Sequence, residues 1–309
     1  MNFYPVVIPT LNRYTHFKRC VESLAMNTHA DKTELIIGLD YPPSEKYVEG
    51  YRKIKEYIPT IKGFGKVTVF KRKENFGAIK NGQALSDYAF KNYEAIIFTE
   101  DDNEFSPCFL DFLNKALEKY KDDNRVSSVK GYNRVQYYSI TDKNILFMHN
   151  CGAWGFGQWK RKRFMLQADI ESARRILQST KQSWKIFRTS PAIFSMLLAM
   201  VKKNALWGDV IFACLNILND RYQICPRISM VRNWGVDGSG LHSGVDDTYS
   251  RQVIQTAPYF DLDDVEPGSD PNTENTNALF YNKMPDNRFR AWYHIILTAM
   301  KYLVYRLYH

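Results

Sequence analysis

The chain has 309 residues, of which 45% are hydrophobic and 24% charged, a globular composition that excludes a wholly disordered protein. The net charge of +9 indicates an anionic partner: a phosphorylated ligand, an acidic lipid surface or a nucleic acid. Five scattered cysteines without a CxxC spacing favour buried thiols over a disulfide framework or a zinc site. The opening "MNFYPVVIPT" lacks the pattern of a signal peptide, so we expect a cytoplasmic protein.

Apolar runs and amphipathic segments alternate along the first 130 residues. The runs "YPVVIPT", "ELIIGLD", "KVTVFK" and "EAIIFTEDD" predict buried strands, the first of them stopped by Pro9. Each run precedes a segment with helical spacing, and the last of these helices is expected to start with Ser106 as its N-cap. The alternation predicts an α/β fold with a mostly parallel sheet flanked by helices, which binds ligands beyond the C-terminal strand ends.

The second half is less regular. A glycine-aromatic loop, "CGAWGFGQWKRKRF", precedes a helical region from 166 to 220, and a strand with a glycine-rich loop follows at "ICPRISMVRNWGVDGSGLHSG". We therefore predict one domain at 1–245, with a nucleotide-binding half (1–130) and an acceptor half (131–245). A polar linker or surface extension at 246–287 and an amphipathic helix at 288–309 would complete the chain.

Three consecutive acids, Glu100, Asp101 and Asp102, follow the fourth predicted strand. Their mutual repulsion is costly unless a cation or a proton relieves it. One interpretation is a solvated turn at the start of the next helix, where the helix dipole stabilises acids. The other is a site for Mg²⁺ or Mn²⁺, whose shell is completed by substrate phosphates.

The polar segments after the four strands, in their order, resemble those of GT-A fold glycosyltransferases. The similarity is to family 2 and to N-acetylglucosaminyltransferases whose DxD motif reads E-D-D. The segments are Pro9–Arg13, Asp40, Glu74–Gly77 and Glu100–Asp102. Further along, "CGAWGFGQWKR" and "NWGVDGSGLHSG" resemble parts of bacterial capsule and lipopolysaccharide glycosyltransferases. The resemblance favours the metal site over helix capping.

The resemblance also implies roles for single residues. Asp40 would accept a hydrogen bond from the uracil N–H, which favours a UDP donor. Asp102 would be the principal ligand of Mn²⁺ or Mg²⁺, and His242 a second metal ligand or a diphosphate contact. The residues expected to bind the donor are Pro9, Thr10, Arg13, Asp40, Asn75, Gly77, Lys80, Glu100 and Asp101.

Inverting sugar transfer needs a carboxylate base beside the acceptor hydroxyl. The resemblance implies Asp209 in "LWGDVIF" as this base, and Asp237 is a weaker alternative. Asp209 is otherwise explained as an acid at a helix N-terminus. Trp154 and Trp207 would contact the acceptor or sugar, or fill the core. The basic run at 160–163 would face either phosphates or solvent.

These features predict a metal-dependent, inverting glycosyltransferase that moves a sugar from a UDP-sugar to a bacterial capsule, O-antigen or lipooligosaccharide acceptor. A nucleotidyltransferase that makes nucleotide sugars is an alternative, although "PTLNRYTHF" lacks the glycine-rich triphosphate loop that it would need. A non-catalytic sugar-binding protein is another. The sequence shows no nucleic-acid-binding motif, so no nucleic-acid partner is expected.

The C-terminal segment 288–309 is broadly apolar, but His294, Lys301 and Arg306 interrupt it and argue against a membrane-spanning helix. Its pattern favours a helix lying in the bilayer interface. That position would make the enzyme peripheral at the inner face of the cell membrane, next to a glycan or lipid-linked glycan acceptor. Packing on the protein's own core, or a dimer contact, is the alternative.

Overall fold

The computed structural model describes residues 2–133, 143–149, 152, 154–166, 169–240, 244–258, 260–262, 267–268 and 288–308. Its first four strands are β1 (Val6–Thr10), β2 (Glu34–Leu39), β3 (Lys66–Lys71) and β4 (Ala95–Phe98). They pair in parallel in the order β3-β2-β1-β4. Helices α1 (Tyr14–Ala25), α2 (Val48–Tyr57) and α3 (Gly77–Asn92) connect them. Every residue of β2 is buried, as expected for a parallel strand covered on both faces.

Pro9 does not end the first strand, as the sequence had suggested, but lies inside β1 opposite Gly38 of β2. On the other side of β1, β4 pairs only with Val6 and Val7. Since β4 has no partner residue at the level of Pro9, the missing proline N–H removes no hydrogen bond from that ladder.

The sheet continues with strands from the less regular half: β6 (Val126–Lys130), β7 (Ile145–Met148), β8 (Phe156–Trp159) and β9 (Tyr222–Pro226). Among the described residues its order is β3-β2-β1-β4-β8-β6-β9-β7, with β7 and β8 antiparallel to their neighbours. A separate ribbon pairs β5 (Asn103–Phe105) with β10 (Val231–Asn233), antiparallel. The predicted α/β fold with a mostly parallel sheet is confirmed.

Helices occupy most of the segment from 166 to 220, as predicted. Helix α4 (Phe109–Lys119) packs on the sheet, and α5 (Ile170–Gln178), α6 (Thr180–Thr189), α7 (Pro191–Lys202) and α8 (Gly208–Leu218) follow later in the sequence. The side chains of Asp169, Ser179 and Ser190 cap α5, α6 and α7. The C-terminal helix α9 (Arg288–Tyr308) packs on α7, and its buried Tyr302 joins the apolar cluster formed by α5–α8.

Three local predictions differ from the structure. Helix α4 begins at Phe109 rather than after Ser106, whose hydroxyl instead lies 3.0 Å from the Cys108 thiol. The predicted glycine-aromatic loop contains β8. In the basic run at 160–163, Lys160 and Arg161 are exposed, as the solvent alternative predicted, whereas Arg163 pairs with Asp87 and Lys162 is buried.

The four described cysteines, Cys20, Cys108, Cys214 and Cys225, are buried, as expected, and Cys151 lies outside the described residues. Tyr249, Phe260 and Leu262 pack against the cluster formed around the sheet. The division of the chain at 245 and 287 stays a prediction.

Candidate active site

The three acids lie directly after β4, and the pairing of β4 with β1 brings the segment after β1 beside them. The Thr10 hydroxyl donates to Asp101 Oδ2 at 2.7 Å. The Arg13 guanidinium bridges the last two acids, because Nη2 donates to Asp101 Oδ1 and Nη1 donates to Asp102 Oδ2 at 2.8 Å. Two segments predicted to form one site are therefore in direct contact.

Charge in this acid cluster, Glu100 to Asp102, is only partly compensated. Burial, together with the charges of Asp102 and Asp101, raises the pKa of Glu100 to about 7, although Trp154 donates a hydrogen bond to it. Burial also raises the pKa of Asp101, against the lowering effect of Arg13. Burial disfavours the Arg13 cation, but the two aspartates hold it charged and raise its pKa. One guanidinium thus faces three carboxylates.

A second support comes from the segment that follows β10, far along the chain. The Asn233 side chain donates to Asp102 Oδ1 at 2.9 Å, and the Trp234 N–H donates to the Asp102 carbonyl at 2.9 Å. A Cβ atom at Gly235 would lie 1.9 Å from Asp102 Oδ2, so only glycine fits against this carboxylate. No role for Asn233 or Gly235 is predicted from the sequence. The only signal was their place at the start of the "NWGVDGSG" segment.

The donor set suits a hard divalent cation. The carboxylates are buried and under-compensated, and a cation would relieve the repulsion that raises the pKa of Glu100. No group of three or more His, Cys, Asp or Glu side chains in the described part of the chain is arranged as a metal site. A Mg²⁺ or Mn²⁺ site that uses one or two carboxylates and substrate phosphates does not require such a group. Asp102 fits that arrangement, whereas His242 lies outside the described residues.

Asp40 follows β2 and organises the turn that begins α3. Its Oδ1 accepts hydrogen bonds from the N–H groups of Tyr41 (2.9 Å) and Phe76 (2.8 Å). Its Oδ2 accepts from Gly77 N–H at 2.8 Å and from the Asn75 amide at 3.3 Å. The four acceptor positions of the carboxylate are therefore used within the chain. The proposed contact between Asp40 and uracil stays a prediction and would require one of these bonds to be exchanged.

The start of α3 carries two other predicted donor residues. Gly77 has a φ of +74°, which the absence of a side chain permits, and a Cβ there would meet no atom within 4 Å. Lys80 lies one turn further, exposed, with its Nζ 4.4 Å from the centre of the Phe76 ring. An open helix N-terminus with a nearby cation is a suitable surface for a phosphate.

The two polar clusters lie at one edge of the sheet. Strands β2 and β4 flank β1, so the ends that carry Asp40 and Glu100 are about 10 Å apart, twice the usual spacing of strands. Pro9 lies between them and is near Gly82 of α3, with 3.8 Å from its Cγ to a Cβ built at Gly82. A ligand about 10 Å long could therefore reach both clusters.

The two candidate bases have different surroundings. Asp209 is exposed in the first turn of α8, where its Oδ1 accepts from Val210 N–H at 2.9 Å, and Trp207 packs against the helical cluster. Asp237 is connected to the acid cluster through His16 and Trp234, because Trp234 N–H donates to the Asp102 carbonyl. The Oδ2 atom of Asp237 lies 3.1 Å from His16 Nε2. The same His16 nitrogen lies 3.1 Å from the Trp234 carbonyl. Hydrogen bonds from Ser239 lower the pKa of Asp237 despite its partial burial.

Trp154 is at the acid cluster. It donates to Glu100, and its ring makes edge-to-face contacts with Tyr132 and Tyr249 at centroid distances of 4.7 and 5.2 Å. The structure thus brings together Thr10, Arg13, Trp154 and the three acids, and separately joins Asp40 to Asn75 and Gly77. Among the contacts of the described residues, none links Asp209 or Trp207 to either group.

Comparisons with known proteins give a family and several distant structural likenesses. A family model described as "Glycosyl transferase family 2" matches residues 6–179. Comparison with curated proteins gives no significant match. A 1–349 fragment of TarS from S. aureus is similar in structure, with 10% identity, a TM-score of 0.43, and coverage of 76% of this chain and 61% of that one. The present chain thus spans less than two thirds of that fragment.

Two further structures have lower TM-scores. The mannosyltransferase PcManGT from Pyrobaculum calidifontis, in complex with GDP-Man and Mn²⁺, has 12% identity, a TM-score of 0.39, and coverage of 70% of this chain and 68% of that chain. S. aureus TarS has 13% identity, a TM-score of 0.39, and coverage of 76% and 37%. Because the family model covers more than half of the 309 residues, the chain belongs to glycosyl transferase family 2.

Proposed function

We propose that this member of glycosyl transferase family 2 is a metal-dependent, inverting glycosyltransferase that moves a sugar from a UDP-sugar to a bacterial surface glycan. The acceptor would be a growing capsule, O-antigen or lipooligosaccharide chain. The observation that carries the proposal is the acid cluster at the C-terminal end of β4, where one guanidinium pairs with the buried Asp101 and Asp102 and the partly exposed Glu100 adds a third carboxyl group. A divalent cation bound to a diphosphate would supply the missing positive charge.

The residues of the chain have separate tasks in this proposal. Asp102 would hold the cation, which when bound stabilises negative charge on the departing UDP. Thr10 and Arg13 fix Asp101 and Asp102 in place. Asp40 shapes the turn whose Gly77 amide and Lys80 ammonium would approach the diphosphate.

The proton of the acceptor hydroxyl needs a base as its oxygen attacks the anomeric carbon and the bond to UDP breaks. We propose Asp209 for this role, as the family resemblance implies. Asp237 is the second candidate, supported by its contact with His16 beside the acid cluster. Single Asp209→Asn and Asp237→Asn variants separate the two. The variant of the true base keeps UDP binding and loses transfer, whereas the other retains most transfer.

We also propose that α9 lies on a membrane surface. Tyr302 on one face is stacked on Phe187 and packs edge-on against Phe194. Five exposed apolar side chains fall within about a 100° arc on the opposite face, at the 3.6-residue repeat of a helix. They are Ile296, Met300, Leu303, Val304 and Leu307. One face therefore packs on the protein while another remains exposed.

Charge favours an anionic lipid surface as the partner of this exposed face. Helix α9 contains no acid. Lys301 and Arg306 lie on either side of its exposed apolar face, where cations contact lipid head groups. Two copies of such a helix would repel each other. Within the described residues, no helix is long and apolar enough to cross a membrane.

Flotation with phosphatidylglycerol vesicles tests the membrane proposal. The wild type should float, and Leu303→Ser with Leu307→Ser should not. Met26→Ser, at an exposed apolar residue on another helix end, is the control and should float. Equal flotation of all three proteins would reject α9 as the contact. Equal flotation with uncharged phosphatidylcholine vesicles would reject the role of charge.

Thermal unfolding with nucleotides tests the donor and the metal. UDP with Mn²⁺ should raise the melting temperature more than UDP or Mn²⁺ alone, since a ligand that binds only the folded state stabilises it. GDP with Mn²⁺ is the matched comparison. A larger shift with GDP would replace the proposed UDP donor by a guanine nucleotide, and no metal-dependent shift with either would reject the metal–nucleotide site.

A further inference from the structure

Asn233 is a buried amide, 2% exposed, at the end of β10. Its Nδ2 donates to Asp102 Oδ1 and to Asn103 Oδ1, both at 2.9 Å. Its Oδ1 accepts from Gly235 N–H at 2.9 Å. Three of the four hydrogen bonds that an amide can form are thus made, and they fix the rotamer of this side chain. One of its two N–H hydrogens is donated to Asp102, the carboxylate expected to hold the metal.

Asp102 is held on both of its carboxylate oxygens. Asn233 donates to Oδ1, while the Arg13 guanidinium donates to Oδ2 at 2.8 Å. A carboxylate offers about four acceptor positions, and these two bonds use one on each oxygen. Rotation about the Cβ–Cγ bond of Asp102 would break both bonds. The carboxylate is therefore fixed in direction, and each oxygen still has capacity for a ligand.

The neutrality of the Asn233 donor matters as much as its geometry. Arg13 already contributes a positive charge, and a second cation would offset the charge that attracts a metal. An amide orients the carboxylate without adding charge. An aspartate of the same shape would place a fourth carboxylate in the cluster and could not donate, so it should disrupt the site strongly.

We propose that Asn233 is a positioning residue of the metal–nucleotide site, which sets the direction of the Asp102 carboxylate without contacting the donor. The inference rests on the proposed function, because it requires that Asp102 hold a divalent cation with UDP. The role is distinct from mere support of the fold, since it predicts an effect on metal affinity as well as on stability.

Asn114 provides a matched control. It is also fully buried, its Nδ2 donates to the Leu110 carbonyl at 2.8 Å, and its Oδ1 accepts from Tyr4 N–H at 3.0 Å. It belongs to α4 and bonds no member of the acid cluster in these contacts. Loss of either amide leaves buried backbone or side-chain groups unpaired, so both alanine variants should be less stable. Only loss of Asn233 frees Asp102.

The experiment titrates Mn²⁺ against the full-length chain at fixed UDP and records the melting temperature, with free Mn²⁺ measured in parallel by electron paramagnetic resonance. Neither readout depends on transfer activity. Asn233→Ala should raise the Mn²⁺ concentration for half-maximal response by roughly tenfold or more, as expected when a positioning contact to a ligand is lost. Asn233→Asp should remove the response, and Asn114→Ala should keep the wild-type midpoint.

The outcomes separate this inference from the proposed function. A wild-type midpoint in Asn233→Ala, or an equal shift in Asn114→Ala, overturns the positioning role and leaves the metal site intact. No Mn²⁺-dependent response in the wild type overturns both. If Asn233→Ala does not fold, Asn233→Ser replaces the amide by a shorter hydroxyl and should shift the midpoint in the same direction, whereas an unchanged midpoint overturns the role.

Discussion

The two edges of the central sheet both bury charge, but they treat it differently. At the edge where β4 ends, two of three neighbouring acids pair with a single guanidinium. At the edge where β4 and β6 begin, Lys162 is 1% exposed, and its ammonium donates to the carbonyls of Tyr120, Asp123 and Val126 at 2.7–2.9 Å. It also lies 4.0 Å from the centre of the Trp159 ring.

We interpret Lys162 as a structural charge, in contrast to the functional role proposed for the acids. The three protons of Lys162 each have a carbonyl acceptor, so the ammonium closes the end of α4 and joins it to β6. The acids lack such balance, and burial with their mutual repulsion raises the pKa of Glu100 to about 7. The chain itself supplies an acceptor for every proton of Lys162, although burial still lowers its pKa. The acid cluster retains negative charge that a bound cation would compensate under the proposed function.

Among the variants that test this comparison, Asp102→Ala is expected to have the largest effect on activity. Loss of the principal metal ligand should lower transfer by on the order of 10²–10³-fold, the scale seen when one group that stabilises developing charge is removed. The UDP- and Mn²⁺-dependent rise in melting temperature should also vanish. Melting without ligand should change little, because the variant relieves repulsion while losing the bonds to Arg13 and Asn233. Near-wild-type transfer would show that the acids are structural, like Lys162.

Lys162→Met should reduce the free energy of unfolding by about 2–4 kcal/mol, because three buried carbonyls lose a charged donor. Chemical denaturation measures this loss. The Mn²⁺ midpoint at fixed UDP should stay at the wild-type value, since Lys162 is at the opposite edge of the sheet. A shifted midpoint would show that the two edges are not independent.

Gly235→Ala places a methyl group where the Asp102 carboxylate now lies, with 1.9 Å from Cβ to Oδ2. The carboxylate must move, and we expect the Mn²⁺ midpoint to rise about tenfold, equivalent to about 1.4 kcal/mol of binding free energy. Gly244→Ala is the control, because a Cβ there meets no atom within 4 Å. Equal midpoints in both variants would contradict the close contact at Gly235.

The smallest effect is the pH dependence of the Lys162 contribution. Burial lowers the pKa of Lys162 from 10.5 to about 8 in the folded chain. Between these pH values the unfolded chain binds more protons at this site, so stability from this group rises with pH. The difference in unfolding free energy between wild type and Lys162→Met should grow by about 1 kcal/mol from pH 8 to pH 9. A constant difference would show that the carbonyls keep the lysine fully charged.

The fold of residues 1–130 was predictable because each strand and helix there has a recognisable local sequence pattern. Buried runs such as "ELIIGL" and the polar residues after them mark strands and strand ends without knowledge of the rest of the chain. The short strand Phe156–Trp159 was missed because its burial alternates within a glycine-rich segment that has the pattern of a loop. The charges at 160–163 were likewise ambiguous, since burial of Lys162 depends on carbonyls 36 to 42 residues away.

The residues of the candidate site also fall into those whose positions could be predicted from the sequence and those whose positions could not. The acids, Thr10 and Arg13 follow predicted strands, and parallel pairing brings such positions together, so their proximity could be anticipated. Asn233 and Gly235 could not be, because their contact with Asp102 depends on the pairing of β10 with β5, two short strands far apart in sequence. The base belongs to the same class of problem, since neither Asp209 nor Asp237 follows one of the four regular strands.

The two hydrogen bonds that hold the Asp102 carboxylate, from Arg13 and Asn233, can form only at different times during synthesis of the chain. Arg13 precedes Asp102 by 89 residues, and Asn233 follows it by 131. At 5–20 residues per second, the ribosome would need roughly 7–26 s to proceed from Asp102 to Asn233. The parallel strands can pair during that interval, while the carboxylate has only its arginine partner. The nascent chain could therefore pair its first four strands well before the proposed metal ligand is fully oriented.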